Sequence, residues 1–228
     1  MDAERRRRAL AELHGHAGRQ HGVVLSRQIR RSGLSSEVIH RLVKDGWLIA
    51  VRTGAYTVGG PATDWQRVVA AGLLAGPDVV VSHATAATVH RFPALVPSPS
   101  IELTAAGGRH PELAGVTVHR VRDLPVDDFT GYRGLTVTRP ARTLVDLGGR
   151  LVPRLLARVV DEGLVAGLWT EAELRASASR AGGRTRPWLD RVLEGSGPGG
   201  EGRAESALEQ RAQRALSCLG PFETQWQV

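Results

Sequence analysis

Asparagine is absent from this 228-residue chain, lysine occurs once, at Lys44, and cysteine once, at Cys218. A single thiol excludes an intrachain disulfide framework and a cysteine-based metal cluster. A chain of this length has room for an ample core without such staples, and the low cysteine usage fits a reducing cytoplasm, the expected location. No hydrophobic run approaches membrane-spanning length. The arginines at 5–8 are followed only by Leu10 and Leu13, soon interrupted by His14 and His16, so no signal peptide is expected.

What is present is most informative between residues 20 and 60. Ser26 can cap a helix through Arg27-Gln28-Ile29-Arg30-Arg31. Gly33 suits the left-handed residue that ends it. Ser35 or Ser36 caps a second helix running to about Asp45, where Gly46 stops it. In that helix Val38, Ile39, Leu42 and Val43 form an apolar stripe, and Ser36, Glu37, His40, Arg41 and Lys44 form the other face. The period then changes to that of a hairpin, Trp47–Arg52 and Ala55–Val58 about a Thr53-Gly54 turn. Helix, turn, helix and hairpin in this order outline a winged helix-turn-helix, a DNA-docking geometry. A small helical core with solvated arginines is the plainer reading, and it leaves the order of the elements unexplained.

In that geometry the exposed N-terminal part of the second helix meets base edges in the major groove. Ser35, Ser36, His40 and Arg41 are the candidate base contacts, and Lys44, a turn further on, is a candidate phosphate contact. Arg27 and Gln28 on the first helix and Arg52 at the hairpin tip complete the set expected to bind DNA. Without asparagine there is no bidentate reader of that type for adenine, so Arg, Gln, Ser and His carry any discrimination. Residues 1–60 contain 11 Lys and Arg against 5 Asp and Glu, nearly all of the net +7 of the chain. The basic excess thus lies on the segment expected to dock on phosphate.

A helix over residues 3–19, with Leu10, Leu13 and Ala17 inward, braces this module. Its basic start opposes the helix dipole, so the arginines at 5–8 are read as a mobile arm. Beyond Gly59-Gly60-Pro61 a helix is expected from Asp64, capped by Thr63 or Asp64. Then come a short strand at 79–81, a small-residue helix from His83 to Phe92, and strands at 101–104, 116–121 and 135–138. Pro140 opens a helix to Leu147, capped by Thr138. Helices at 152–167 and 170–180 follow, the second with a Thr170/Glu173 capping box, and a short helix begins at Pro187. The glycine-rich 195–200 segment lacks the Gly-Lys-Ser/Thr of a phosphate loop and reads as a linker. A last helix over 204–219 and a strand beginning at 223 leave the architecture unfinished at Val228.

The fold class expected is α+β: a winged helix-turn-helix at 1–60, a small α+β domain at 61–150, a helical extension at 151–194, a linker at 195–202 and a further domain beginning at 203. Histidines show no metal-protease spacing, and neither metal nor cofactor is expected. His83 reads as a capping or core residue, Asp127-Asp128 as a solvated turn, Asp161-Glu162 with Arg158 as an ion-paired surface, and Trp47 and Trp65 as core anchors. No segment is a clear zipper, which leaves the oligomeric state open.

The segment GVVLSRQIRRSGLSSEVIHRLVKDGWLIAVRTGAYTVGG resembles the winged-helix domain of the AbiEi antitoxins of type IV toxin–antitoxin systems. SHATAATVHRF, VTVHR and GLTVTRPARTLVDL are similar to the second domain of those proteins. The resemblance implies a transcriptional regulator, not an enzyme. It implies double-stranded DNA as partner, autoregulation of its operon, and indirect action against a nucleotidyltransferase-type toxin, with no membrane association. The tail, Glu205-Ser206-Ala207-Leu208-Glu209 and then Trp226-Gln227-Val228, resembles the start of a Vsr-like endonuclease domain. It supplies one carboxylate, Glu209, where metal-assisted hydrolysis needs several. The alternative it implies is the targeting part of a truncated, inactive nuclease.

Overall fold

A computed structural model describes residues 3–107, 112–182 and 186–194. The chain forms two compact units, one of residues 1–86 and 98–138, the other of residues 87–97 and 139–228.

The first unit begins with α1 (Ala3–Arg19), β1 (Val23–Leu25), α2 (Ser26–Arg31), α3 (Ser36–Lys44) and the hairpin β2 (Leu48–Arg52) and β3 (Ala55–Val58). The strands make an antiparallel sheet in the order β1-β3-β2. One core gathers Ala9, Leu13 and Ala17 of α1 with Val24, Ile29, Leu34, Ile39 and Leu48, so every helix of the triad contributes its apolar stripe. The arginines at 5–8 belong to α1 and not to a separate arm; of the two with described side chains, both are exposed, and Arg8 lies 3.8 Å from Glu12 one turn on.

Next come α4 (Asp64–Ala75), β4 (Val79–Val81), α5 (His83–Val89), β5 (Ile101–Ala106), β6 (Val116–Val121), β7 (Phe129–Tyr132) and β8 (Leu135–Thr138). The sheet order is β6-β5-β4-β8-β7, with β4 paired parallel to β8 and β5 parallel to β6. The apolar Val79-Val80-Val81 run is its buried central strand, flanked on both sides as such runs require. Thr63 caps α4, its hydroxyl accepting from Gln66 N–H while the Gln66 amide oxygen accepts from Thr63 N–H at 2.9 Å. A second core joins the winged helix to α4: Val23, Leu25 and Ala55 pack on Val69 and Ala70, with Trp65 and Leu135 against them.

The second unit holds α6 (Pro140–Gly148), α7 (Pro153–Ala166), α8 (Glu171–Ala181) and α9 (Arg186–Glu194). Leu144, Val159, Val160, Leu174 and Leu189 form its center with Phe92 and Trp169. Trp169 meets Phe92 edge-on at 4.9 Å and donates its indole N–H to the Val160 carbonyl at 3.3 Å. Thr170 and Glu173 form the expected capping box.

Several local expectations are corrected. Ser26 is the first residue of α2 and not its cap; the Gln28 side chain accepts the Leu25 N–H at 2.9 Å instead. Pro140 opens α6 as expected, but the preceding Arg139, not Thr138, stands at the cap position. The 83–92 helix ends at Val89. Phe129–Tyr132 is a strand that sequence reading left unassigned, joined to β8 through Arg133 and Gly134 at φ of 45° and 77°, the left-handed pair that tight hairpins use. Asp128 is buried while Asp127 is exposed, so the 127–128 pair is not a solvated turn. Trp65 packs on the second core, but Trp47 is 65% exposed and anchors nothing. The 195–202 linker and the 203–228 segment, with Cys218 and Glu209, lie outside the described residues.

Candidate nucleic-acid interface

The turn between α2 and α3 is built by hydrogen bonds that only a left-handed residue allows. Gly33, at φ 88°, donates to the Arg30 carbonyl, and Leu34 donates to that of Ile29. This is the paired end-bond of a Schellman motif, closed by Leu34 and Ile29 packing in one core. Ser35 then caps α3, its hydroxyl accepting from Val38 N–H at 3.4 Å. The far end repeats the motif: Gly46, at φ 75°, donates to Val43, and Trp47 to Leu42.

Those two ends fix how α3 is rotated. Val38, Ile39 and Leu42 face the core, while Val43 is at the margin, 36% exposed, and drops out of the expected stripe. Ser35, Ser36, Glu37, His40, Arg41 and Lys44 are all exposed. Among the described residues, no hydrogen bond or ion pair engages the His40, Arg41 or Lys44 side chains. One short helix therefore presents Arg41, Lys44, the His40 imidazole and the Ser36 hydroxyl without internal partners among the described residues.

The other three candidates are engaged elsewhere. Arg27 donates through Nη2 to the Leu73 carbonyl at 2.7 Å. Leu73 lies in the last turn of α4, where carbonyls lack helical partners and a cation is favored. Gln28 holds the start of α2. Arg52 is half-buried, with Nη1 donating to the Ala114 carbonyl at 3.3 Å and its buried Nε lacking a partner. Burial, and then the neighboring charge of Arg67, lower its pKa below the usual guanidinium value. The hairpin tip is also short. Leu25 pairs with Ala55, and Ser26 N–H donates to the Gly54 carbonyl, so the tip ends level with β1. The structure thus brings Ser35, Ser36, His40, Arg41 and Lys44 together and ties Arg27, Gln28 and Arg52 to the rest of the unit. Sequence reading passed over Arg30 and Arg31, both exposed on α2; their charge was the available signal.

A separate polar cluster lies where β4 meets α5. The Glu102 carboxylate accepts from Ala84 N–H at 2.9 Å and lies 3.2 Å from His119 Nε2. His119 stacks on His83 at 3.7 Å, His83 Nδ1 is 2.9 Å from Ser82 Oγ, and Thr104 donates to that same oxygen at 2.8 Å. Ser82 is fully buried, so this arrangement ties the end of β4 to β5 and β6 and offers no accessible nucleophile. No group of three or more His, Cys, Asp or Glu suited to a metal occurs among the described residues. No helix among them is long and apolar enough to cross a membrane.

A three-helix core closed by a β1-β3-β2 sheet defines a winged helix-turn-helix protein, here continued by an α+β sheet and a helical unit. Residues 16–59 match a family described as transcriptional regulator, AbiEi antitoxin, and residues 70–195 match the AbiEi antitoxin C-terminal domain. The second match alone spans more than half of the chain, which therefore belongs to the AbiEi antitoxin family. No curated protein matches it. In fold it is similar to the RV2827C protein from Mycobacterium tuberculosis, with 18% identity, a TM-score of 0.56, and coverage of 88% of this chain and 80% of that one.

Proposed function

We propose that this chain is a DNA-binding transcriptional regulator of cytoplasmic double-stranded DNA that represses its own operon, with α3 as the reading helix. The observation that carries the proposal is the exposed, internally unpartnered face of α3, where Ser36, His40, Arg41 and Lys44 stand together. Arg41 and His40 are assigned to base edges, Ser35 and Ser36 to the entrance of the groove, and Lys44, Arg30 and Arg31 to phosphate. Arg27, Gln28 and Arg52 contribute by holding the module in place, with the outer donors of Arg27 and Arg52 available to the backbone of DNA. In this reading residues 1–60 form the docking module, and the 61–150 and 151–194 segments serve the antitoxin role, acting against a toxin without a stable complex.

The test is fluorescence polarization with duplexes from upstream of the gene. Arg41→Ala or His40→Ala is expected to weaken binding to the preferred duplex by about tenfold or more, from the roughly 1–3 kcal/mol that a good base contact carries. Lys44→Ala is expected to weaken binding to every duplex alike and to reduce the slope of log affinity against log salt by about one. Absence of retention of the unaltered protein even at low salt would overturn the proposal.

The nuclease-remnant reading rests on Glu205–Glu209 and Trp226-Gln227-Val228, beyond the last residue matched by either family. An open reading frame past codon 228 that encodes a strand with Glu-x-Asp would favor it; a stop with no such remnant would dismiss it.

A further inference from the structure

A cleft of about 350 Å³ opens within the first unit, between α2, the end of α4 and the five-stranded sheet. Its floor is aliphatic, with Val79, Val81, Leu103 and Leu135. Its polar side chains are Gln20, Arg27, Gln28 and Thr136. Among the described residues, Arg27 is the only charged one lining it, and neither a carboxylate nor an aromatic ring does so. Apart from the bond to Leu73, Arg27 makes no hydrogen bond to a described residue, so most of its five donors are open. The Gln20 amide oxygen is buried without a partner. Turning that amide toward a ligand donor therefore breaks no bond of the oxygen, and it relieves an unsatisfied group. The Thr136 hydroxyl likewise has no partner among the described residues.

These groups select a ligand class. A single guanidinium suits one carboxylate. An ammonium group would find no counter-charge, and a nucleobase no ring to stack on. The volume is at the small end for ligand sites, and the aliphatic floor takes a branched alkyl chain. We propose that this cleft binds a small aliphatic 2-hydroxy acid, its carboxylate held by Arg27, its hydroxyl by Gln20 and Thr136, and its alkyl chain by the valine and leucine floor.

A ligand carboxylate would compete with the Leu73 carbonyl for Arg27, and Arg27 stands on the helix that precedes α3. Occupancy then alters how α2 is fastened to α4. That coupling rests on the DNA-binding reading; the binding itself does not.

The test uses the full chain titrated with 2-hydroxyisocaproate and followed by backbone amide NMR. Saturable shifts are expected at Gln20, Gly72, Gly134 and Thr136. Affinity is expected to fall about tenfold or more in Arg27→Gln, or when the acid is replaced by its neutral amide, and to survive in part in Arg27→Lys. Thr136→Val keeps the β-branched shape and removes the hydroxyl, so it is expected to erase the preference for the hydroxy acid over isocaproate. It also decides the matter if Arg27→Gln disturbs the fold. No saturable shift up to about 10 mM, shifts confined to other residues, or equal binding of acid and neutral amide would overturn the site. Polarization with DNA then reads the coupling. An unchanged DNA affinity in the saturated protein overturns the coupling alone, and a protein that retains no DNA overturns the regulator reading while leaving the cleft standing.

Discussion

Trp47 and Trp169 show how little residue type alone says about role. Trp47 follows α3 with its ring 65% exposed, whereas Trp169 is 2% exposed against Phe92 and bonded to Val160. Trp169→Ala is expected to cost about 3–5 kcal/mol in urea denaturation, as for deletion of a buried aromatic, and Trp47→Ala less than about 1 kcal/mol. Glu102 offers a second contrast. It is buried, and its two oxygens serve Ala84 N–H and His119. Glu102→Ala leaves a helix N–H and an imidazole without their acceptor and is expected to cost about 2 kcal/mol. Glu102→Gln keeps one acceptor oxygen for Ala84 and is expected to lose less by the same measurement.

At the scale of elements, glycine acts in opposite senses at two places. Gly163 lies within α7, where alanine would ordinarily gain about 1 kcal/mol of helix propensity. Here a Cβ would overlap the Trp169 indole, and Gly163→Ala is expected to lower stability by about 1–3 kcal/mol from overpacking. At Gly33 there is open space, yet φ is 88°; Gly33→Ala is expected to cost about 1 kcal/mol for the left-handed turn alone. Thermal unfolding of both variants checks the pair. The helix-turn-helix was legible in sequence because its determinants are local: a glycine between two helices, a serine cap, an apolar stripe on α3. β7 was missed because Phe129–Tyr132 holds a glycine and no clean alternation; it is a strand because β8 supplies its partner. Trp47 and Asp128 were misjudged, and the tethering of Arg52 went unforeseen, for a shared reason, since burial depends on what the rest of the chain brings near. No local signal tells that Arg52 reaches the Ala114 carbonyl, or that Trp47 stays mostly exposed.

At the scale of the molecule, the basic excess of residues 1–60 sits on the unit that carries α3. Arg27 joins two parts of that unit by a charge-assisted bond, and Arg27→Ala is expected to lower stability by about 1 kcal/mol, read as the urea midpoint. The path of the chain has a practical result for anyone preparing fragments. Residues 87–97 lie in sequence between the two halves of the first unit but pack with the second. A protein cut off after Thr138 would keep every strand of both sheets and still carry Phe92 stripped of Trp169. Such a fragment presents a bare aromatic to water and invites clumping on expression. A clean excision of the first unit calls for a short polar bridge from Ala86 to Ser98, not a stop codon.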